Sequence, residues 1–143
     1  MTEHSTAEVF ENLVRLQTLL WNKVDAAVRA DGGVGLGSVD VLRVASTTPE
    51  CRVNDIAAAL AITVGGASQA VDRLVAKGLA TRRPHAQDRR SSVVELTTDG
   101  QARLLTAQAV IDAQLAVSLR QPLPEDRFRQ LADALTTLRR SIT

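Results

Sequence analysis

The sequence predicts a mainly α-helical protein with one small β-hairpin, and three observations lead to this fold class. Tyr is absent and the aromatic residues are only Phe10, Trp21 and Phe128, so Leu, Val and Ala must form the core, as is typical of packed helices. Apolar residues recur at three- and four-residue steps towards both ends of the chain. After Gly78 this period gives way to two short β-rich stretches, which predict a wing of two or three strands.

The first predicted helix runs from Ala7 to about Ala30. Ser5 and Glu8 have the spacing of a capping box at its start, and glycines at 32, 33 and 35 end it. Its apolar stripe consists of Val9, Phe10, Leu13, Leu16, Leu20, Val24 and Val28. A second flank of Val14, Leu19 and Trp21 widens this stripe, which indicates more than one packing partner.

Three shorter helices, each with its own start signal, are predicted in the middle of the chain. They are Val39–Ser46 with Ser38 as its N-cap, a helix opened by Val53 or Asn54, and Val64–Lys77 with Thr63 as its N-cap and Gly78 as its stop. The tight connection Ala61–Thr63 makes the last two a helix-turn-helix candidate.

The rest of the chain predicts a hairpin followed by two helices. The predicted elements are strands Leu79–Arg83 and Ser91–Thr97, a polar loop between them, a helix from Thr97 or Thr98 to about Arg120, and a last helix with Pro124 at its first position. We therefore expect a winged helix-turn-helix DNA-binding lobe over 35–97, and a helical dimerisation region formed by 1–34 and 98–143.

Charge is concentrated in one segment, although the net charge of the chain is only +1. Residues 73–90 contain six basic residues (Arg73, Lys77, Arg82, Arg83, Arg89 and Arg90) and one acidic residue, Asp88. This segment therefore carries +5, and the remainder of the chain carries −4. A basic patch on a mildly acidic body is typical of a face that binds double-stranded DNA, and two copies in a dimer predict strong salt dependence.

The helix after Thr63 divides into two predicted faces. An anchoring stripe is expected to contain Val64, Ala67, Val71, Leu74 and Val75, and a DNA-facing side to contain Gly65, Gly66, Ser68, Gln69, Asp72 and Arg73. Gln69 is the candidate base reader, because its amide can pair with adenine N6 and N7, while Ser68 can bond a base or a phosphate. Thr63 and Arg73 suit phosphates, and the two glycines let the backbone approach DNA closely.

The predicted wing supplies further candidates. Arg89 and Arg90 at its tip have the size and charge to enter a minor groove, and Asp88 is expected to orient a neighbouring arginine. Arg82 and Arg83, on the first strand, should reach at most the DNA backbone. His85 and His4 form no cluster with metal-ligand spacing, so both are interpreted as structural and no cofactor is expected.

The segment Val53–Gly100 resembles the MarR (multiple antibiotic resistance regulator) family of bacterial transcription regulators. The resemblance is carried by DRLVAKGLATR (Asp72–Arg82), DRRS (Asp88–Ser91) and LTTDG (Leu96–Gly100), in that order. It implies a homodimer built from the terminal helices, a recognition helix over Val64–Lys77, and a wing arginine in Asp88–Arg90. It also implies repression or activation of nearby genes, often relieved by a small aromatic or phenolic ligand or by thiol oxidation.

The sequence departs from the family pattern in one respect. Gly65-Gly66-Ala67 is smaller than usual at the start of the recognition helix, which puts the number of directly read bases in doubt. Reactive cysteines of oxidant-sensing members commonly lie in the first helix, whereas Cys51 does not, so a redox role is not carried over. A small-molecule effector is expected between the dimer helices and the DNA-binding lobe, where Leu20, Trp21, Val41 and Leu42 are candidate lining residues, although an ordinary core position is the favoured explanation of each.

Two other function classes fit the sequence less well. A winged helix can act as a protein–protein interaction module without ligand response, but that function favours an uncharged wing. An enzyme is not expected, because the sequence shows no nucleophile–base pair, glycine-rich phosphate loop or metal-ligand spacing. The start of the chain lacks a signal-peptide pattern and no apolar run reaches the ~20 residues of a membrane span, so we expect a cytoplasmic protein without a membrane partner.

Overall fold

The computed structural model describes residues 3–143, so the first two residues of the predicted dimerisation region 1–34 lie outside it. Within this range the chain forms six α-helices and one two-stranded antiparallel sheet. The elements are α1 (Thr6–Gly32), α2 (Leu36–Thr47), α3 (Val53–Leu60), α4 (Val64–Ala76), β1 (Ala80–Pro84), β2 (Ser92–Leu96), α5 (Thr98–Leu115), a π-helical segment (Ala116–Arg120) and α6 (Glu125–Ile142). The predicted mainly helical fold with a small wing is confirmed.

The junction between α1 and α2 differs from the prediction. The capping box at the start of α1 is present, since Ser5 Oγ accepts from the Glu8 amide and Glu8 Oε2 accepts from the Ser5 amide. However, α2 begins at Leu36, so the expectation that Ser38 caps it was wrong. The cap comes from α1, where Asp25 Oδ1 accepts from the Leu36 amide at 2.9 Å. This bond, helped by Arg29, lowers the pKa of the Asp25 carboxyl.

The helix-turn-helix is held by local hydrogen bonds. α3 ends in Ala61, whose φ of 53° reverses the chain, and the Ile62 amide then donates to the carbonyl of Ala57. Thr63 caps α4 as predicted, with its Oγ1 accepting from the Gly66 amide at 3.0 Å. The turn between the two helices is therefore short and fixed.

The wing is a hairpin in which Ala80 pairs with Leu96 and Pro84 with Ser92. A single bridge between Arg52 and Val93 attaches the segment before α3 to the outer side of β2. At the base of the wing, Gly100 lies so close to the Leu79 carbonyl that a Cβ would collide with it. A glycine is therefore required where α5 leaves the sheet.

The hydrophobic core lies mainly inside 35–97 and reaches only part of the outer helices. Its fully buried side chains include Val39, Val41, Leu42, Ile56, Val71, Leu74, Val93 and Val94. α1 contributes Val24 and Val28 from its last third, and α5 contributes Ala107 and Ile111. The core thus joins the helix-turn-helix, the wing and two outer helices into one packed unit.

A set of large apolar side chains is exposed on the outer helices. We call it the terminal apolar surface, and its members on α1 and α6 are Val9, Phe10, Leu13, Val14, Leu16, Leu19, Leu135, Leu138 and Ile142. α6 buries no residue and, within residues 3–143, makes no extensive contact with another element. Pro124 precedes α6 as its N-cap, so its predicted place at the first helical position was wrong by one residue. No helix in this range carries an apolar stretch that could cross a membrane.

Candidate nucleic-acid interface

The helix α4 turns one face into the core and the other to solvent. Ala67, Ala70, Val71 and Leu74 are buried, whereas Gly65, Gln69, Asp72 and Arg73 are exposed and Gly66 and Ser68 are half-buried. The expected anchoring role of Val64 and Val75 was wrong, since they are 53% and 38% exposed. The core begins only at Ala67, so the first residue of α4 projects beyond it, and Ala70 occupies the stripe instead.

Arg82 on β1 joins the wing to α4. Its Nη2 donates to Asp72 Oδ1 at 2.8 Å, to the Ser68 carbonyl at 3.2 Å and to Ser68 Oγ at 3.3 Å. Its Nη1 donates to Ser92 Oγ at 3.2 Å. Arg82 therefore faces the protein, and the sequence missed this role because the hairpin brings it to α4 only in the folded chain.

Arg83 is also engaged within the protein. Its guanidinium donates to Glu95 Oε1 on β2 and to Glu50 Oε1 before α3, each at 2.7 Å. The bond from Arg83 lowers the pKa of the Glu50 carboxyl, and the two carboxylates together raise the pKa of Arg83 above its usual value. Two of the six cations in the basic segment are thus neutralised by carboxylates.

The other arginines of the segment remain available. Within residues 3–143, Arg73, Arg89 and Arg90 form no ion pair, and all three are exposed. Asp88 shapes the wing tip, because its Oδ1 accepts from the Arg90 amide at 3.1 Å and its carbonyl accepts from the Ser91 amide. Asp88 therefore orients the backbone of Arg90, which leaves the guanidinium to solvent.

A polar cleft separates the start of α4 from the wing tip. This wing cleft has a volume of about 380 Å³, and its lining includes Arg52, Asn54, Val64, Ser68, Asp88, Arg90 and Ser92. The structure thus brings together Ser68, Asp88 and Arg90, which are predicted site residues, with Val64, Arg52 and Asn54, which the sequence did not single out. Gln69 and Arg73 lie on the adjoining exposed face of α4, with Thr63 and Gly65 at its start.

His85 is buried at the base of the wing loop. Its Nδ1 accepts from the Gln87 amide at 3.1 Å, its Nε2 lies 2.9 Å from Arg52 Nη2, and its own amide donates to the Ser91 carbonyl. These contacts hold the loop between β1 and β2 closed. Its partners support the structural interpretation of this histidine.

Two cavities border the predicted effector residues. The larger cavity, about 600 Å³, is lined by Trp21 and Val41 and also by Arg73 and Lys77 of α4. The smaller cavity, about 300 Å³, is lined by Leu20 and Trp21 together with Ile111 of α5. Leu42 has no exposed surface and lines neither cavity, so it belongs to the core. Cys51 is also buried, and burial raises the pKa of its thiol, which disfavours the reactive thiolate.

Comparison with known proteins agrees with this geometry. Residues 33–91 match the model of the MarR family, whereas no curated protein sequence matches the chain. Sco3205, a MarR family transcriptional regulator from Streptomyces coelicolor solved in complex with DNA, is 21% identical with a TM-score of 0.86, over 99% of this chain and 91% of that one. CouR, a transcriptional repressor bound to a 23-mer DNA duplex, is 25% identical with a TM-score of 0.81, over 96% and 99% of the two chains.

A third structure, CouR from Rhodococcus jostii RHA1 bound to p-coumaroyl-CoA, is 22% identical with a TM-score of 0.80, over 96% of this chain and 95% of that one. These likenesses extend over nearly the whole chain, whereas the family model covers the helix-turn-helix and most of the wing. The motifs from Asp72 to Ser91 lie inside the matched segment. Sequence motifs, family model and complete fold therefore agree: residues 33–91 match the MarR family, and the whole chain has the fold of the solved MarR family regulators.

Proposed function

We propose that this protein is a sequence-specific transcriptional regulator, acting as a repressor, that binds double-stranded DNA as a homodimer at a pseudo-palindromic operator. The observation that carries the proposal is the wing cleft, which is lined on one side by the start of α4 and on the other by the wing tip with its unpaired Arg90. A helix with an exposed polar face beside an arginine-tipped hairpin matches the combined use of a major and a minor groove.

The predicted site residues of this face have roles that fit their chemistry. Ser68 and Gln69 read bases, Thr63 and Arg73 contact phosphates, and the glycines at 65 and 66 allow close approach. Arg89 and Arg90 enter the minor groove, where negative potential favours arginine, and Asp88 holds the turn that carries both of them. The arginine-rich wing argues against a protein–protein interaction module, and we assign no catalytic role to the chain.

The terminal apolar surface is the dimer interface. Residues 1–34 and 98–143 form the dimerisation region, and 35–97 form the DNA-binding lobe. α6 buries nothing against its own chain, although Leu135 and Leu138 repeat on one face of it. A second copy would cover these side chains and would set two α4 helices about 34–36 Å apart, the spacing of successive major grooves.

The larger cavity is the proposed effector site. The protein itself is placed in the cytoplasm, where its DNA is found. CouR was solved with p-coumaroyl-CoA, and here a small aromatic or phenolic ligand beside Trp21 and Val41 would touch α4 through Arg73 and Lys77. Leu20 lines the smaller cavity, which shares Trp21. A ligand that favours a spacing of the two α4 helices different from that of successive major grooves would release DNA.

The proposal is tested by gel shift of the purified protein against DNA from upstream of its own gene, with a random duplex as competitor. We expect retention of the upstream fragment, and its loss when Arg89 and Arg90 are both replaced by alanine. Replacement of Arg129, an exposed arginine on α6, by alanine is the matched control and should leave binding unchanged. Equal binding by the wing variant and the wild type would refute the proposed interface.

A further inference from the structure

Val64 and Ser68 form a pair on one face of α4. They are four residues apart, so their side chains are neighbours on the helix surface, and both line the wing cleft. Val64 is the first residue of α4 and is more than half exposed, although the lining of the cleft is mostly polar, with Val53 as its other apolar residue. An exposed isopropyl group therefore stands directly beside a hydroxyl group on the face of α4 that is proposed to meet DNA.

The Ser68 hydroxyl is held as a hydrogen-bond donor. Arg82 Nη2 donates to Ser68 Oγ, which occupies one lone pair of that oxygen. The guanidinium cannot easily turn away, because it also bonds Asp72 and Ser92. A cationic donor polarises the hydroxyl and strengthens the bond that its hydrogen can give, and within residues 3–143 that hydrogen has no protein acceptor.

We propose that Val64 and Ser68 together read a thymine, with Arg82 as the positioning residue. Thymine is the base that presents a C5-methyl group and an acceptor, O4, side by side in the major groove. The Val64 side chain would pack on the methyl group, and the Ser68 hydroxyl would donate to O4. The other three bases lack the methyl group. Cytosine and adenine, in addition, place an amino donor where O4 would be. This inference rests on the proposed DNA-binding function.

The test starts from duplexes that the wild-type dimer selects from a random pool. Each thymine of a selected site is replaced in turn by deoxyuridine, which removes only the methyl group, and by 5-methyl-deoxycytidine paired with guanine, which keeps the methyl group and replaces O4 by an amino donor. At one symmetry-related pair of thymines, we expect deoxyuridine to weaken wild-type binding about fourfold per half-site.

Variants assign each contact. Val64→Ala should lose the sensitivity to deoxyuridine, while Val75→Ala, the same change at the far end of α4, should retain it. Ser68→Ala should lose the roughly fivefold preference for thymine over 5-methyl-deoxycytidine. Arg82→Gln should weaken that preference while the response to deoxyuridine remains, and the circular dichroism spectra of all variants should match the wild type.

The possible failures are distinct. If the pool yields no enriched duplex, the proposed function fails and thymine reading fails with it. If selected duplexes bind but no thymine loses its deoxyuridine response in Val64→Ala, only the thymine-reading pair is overturned. If Arg82→Gln leaves the preference over 5-methyl-deoxycytidine intact, the positioning role of Arg82 is overturned.

Discussion

The winged lobe and the terminal helices use apolar residues in opposite ways. Between residues 35 and 97, helices and strands bury Leu42, Ile56 and Leu74 against one another within one chain. The first two-thirds of α1 and all of α6 contain no fully buried residue, and they expose a row of large apolar side chains. The lobe is therefore a structure that one chain can complete, whereas the terminal helices present an apolar surface that the proposed second copy would cover.

The corner before α6 shows how little of that helix is held by its own chain. The Arg120 guanidinium lies 4.3 Å from the centre of the Phe128 ring and donates to Glu125 Oε2. These contacts are short-range in sequence and fix the turn, but they provide no core for the helix that follows. The stability of α6 should thus depend on dimerisation, whereas that of the lobe should not.

The strongest test of this contrast is truncation inside the lobe. Leu42→Ala should lower the free energy of unfolding by about 3–4 kcal/mol, because a fully buried leucine leaves a cavity. Urea unfolding at two protein concentrations checks whether this loss is the same at both. Leu105→Ala, at a 75% exposed position, is the control and should change stability by less than about 0.5 kcal/mol. A small loss for Leu42→Ala would contradict the assigned core.

Truncation of a side chain in the terminal apolar surface should weaken the association of two copies instead. Phe10→Ala should raise the dimer dissociation constant about 100-fold, because each dimer loses two buried phenyl rings. Sedimentation equilibrium measures the constant, and Ile62→Ala, at an exposed apolar position of the winged lobe, is the control that should leave it unchanged. A wild-type protein that sediments as a folded monomer at micromolar concentration would remove the basis of the proposed interface.

A substitution on the DNA-facing side of α4 should lower the affinity for the operator without lowering the affinity for random DNA. Gln69→Ala should cost about 2 kcal/mol on a selected operator and almost nothing on random duplex, because an amide that reads a base contributes only where that base is present. Fluorescence anisotropy with both duplexes distinguishes the two cases. Equal losses on both duplexes would show that Gln69 reads no base.

The smallest expected effect lies where the two regions meet. Asp25→Ala should cost about 1 kcal/mol at pH 7, because α2 loses its cap from α1. The native pKa of Asp25 is lowered, so its contribution is complete above pH about 4 and disappears as the pH falls through the native value. The stability difference between wild type and variant should therefore vanish in acid, and a difference that persists there would argue for lost packing instead.

Sequence reasoning succeeded where a feature depends on its neighbours along the chain. The caps at Ser5 and Thr63, the turn at Gly78 and the hairpin all follow from short-range rules, and each is found where it was predicted. The cap of α2 was missed because its acceptor, Asp25, lies in the preceding helix. A local rule can recognise Ser38 as a good cap but cannot see that a carboxylate from another element already occupies the position.

The same limit explains what was missed at the candidate site. The partners of Arg82 and Arg83 lie on α4, on β2 and before α3, and only the folded hairpin brings them within reach. The exposure of Val64 likewise depends on where the core ends relative to α4. Periodicity identified the helix and its polar side, but it could not distinguish a paired cation from a free one.

The pairing of Arg82 and Arg83 changes how many ions DNA binding should release. Within residues 3–143, a protomer keeps four basic side chains of the segment outside ion pairs (Arg73, Lys77, Arg89 and Arg90), and a dimer therefore offers eight to DNA. Counterion release then gives a slope of log affinity against log salt of about −7, whereas all twelve basic side chains of the segment in a dimer would give about −11. The internal ion pairs would thus keep the protein from being trapped on random DNA at low salt, and the choice between sequences would fall to the uncharged start of α4.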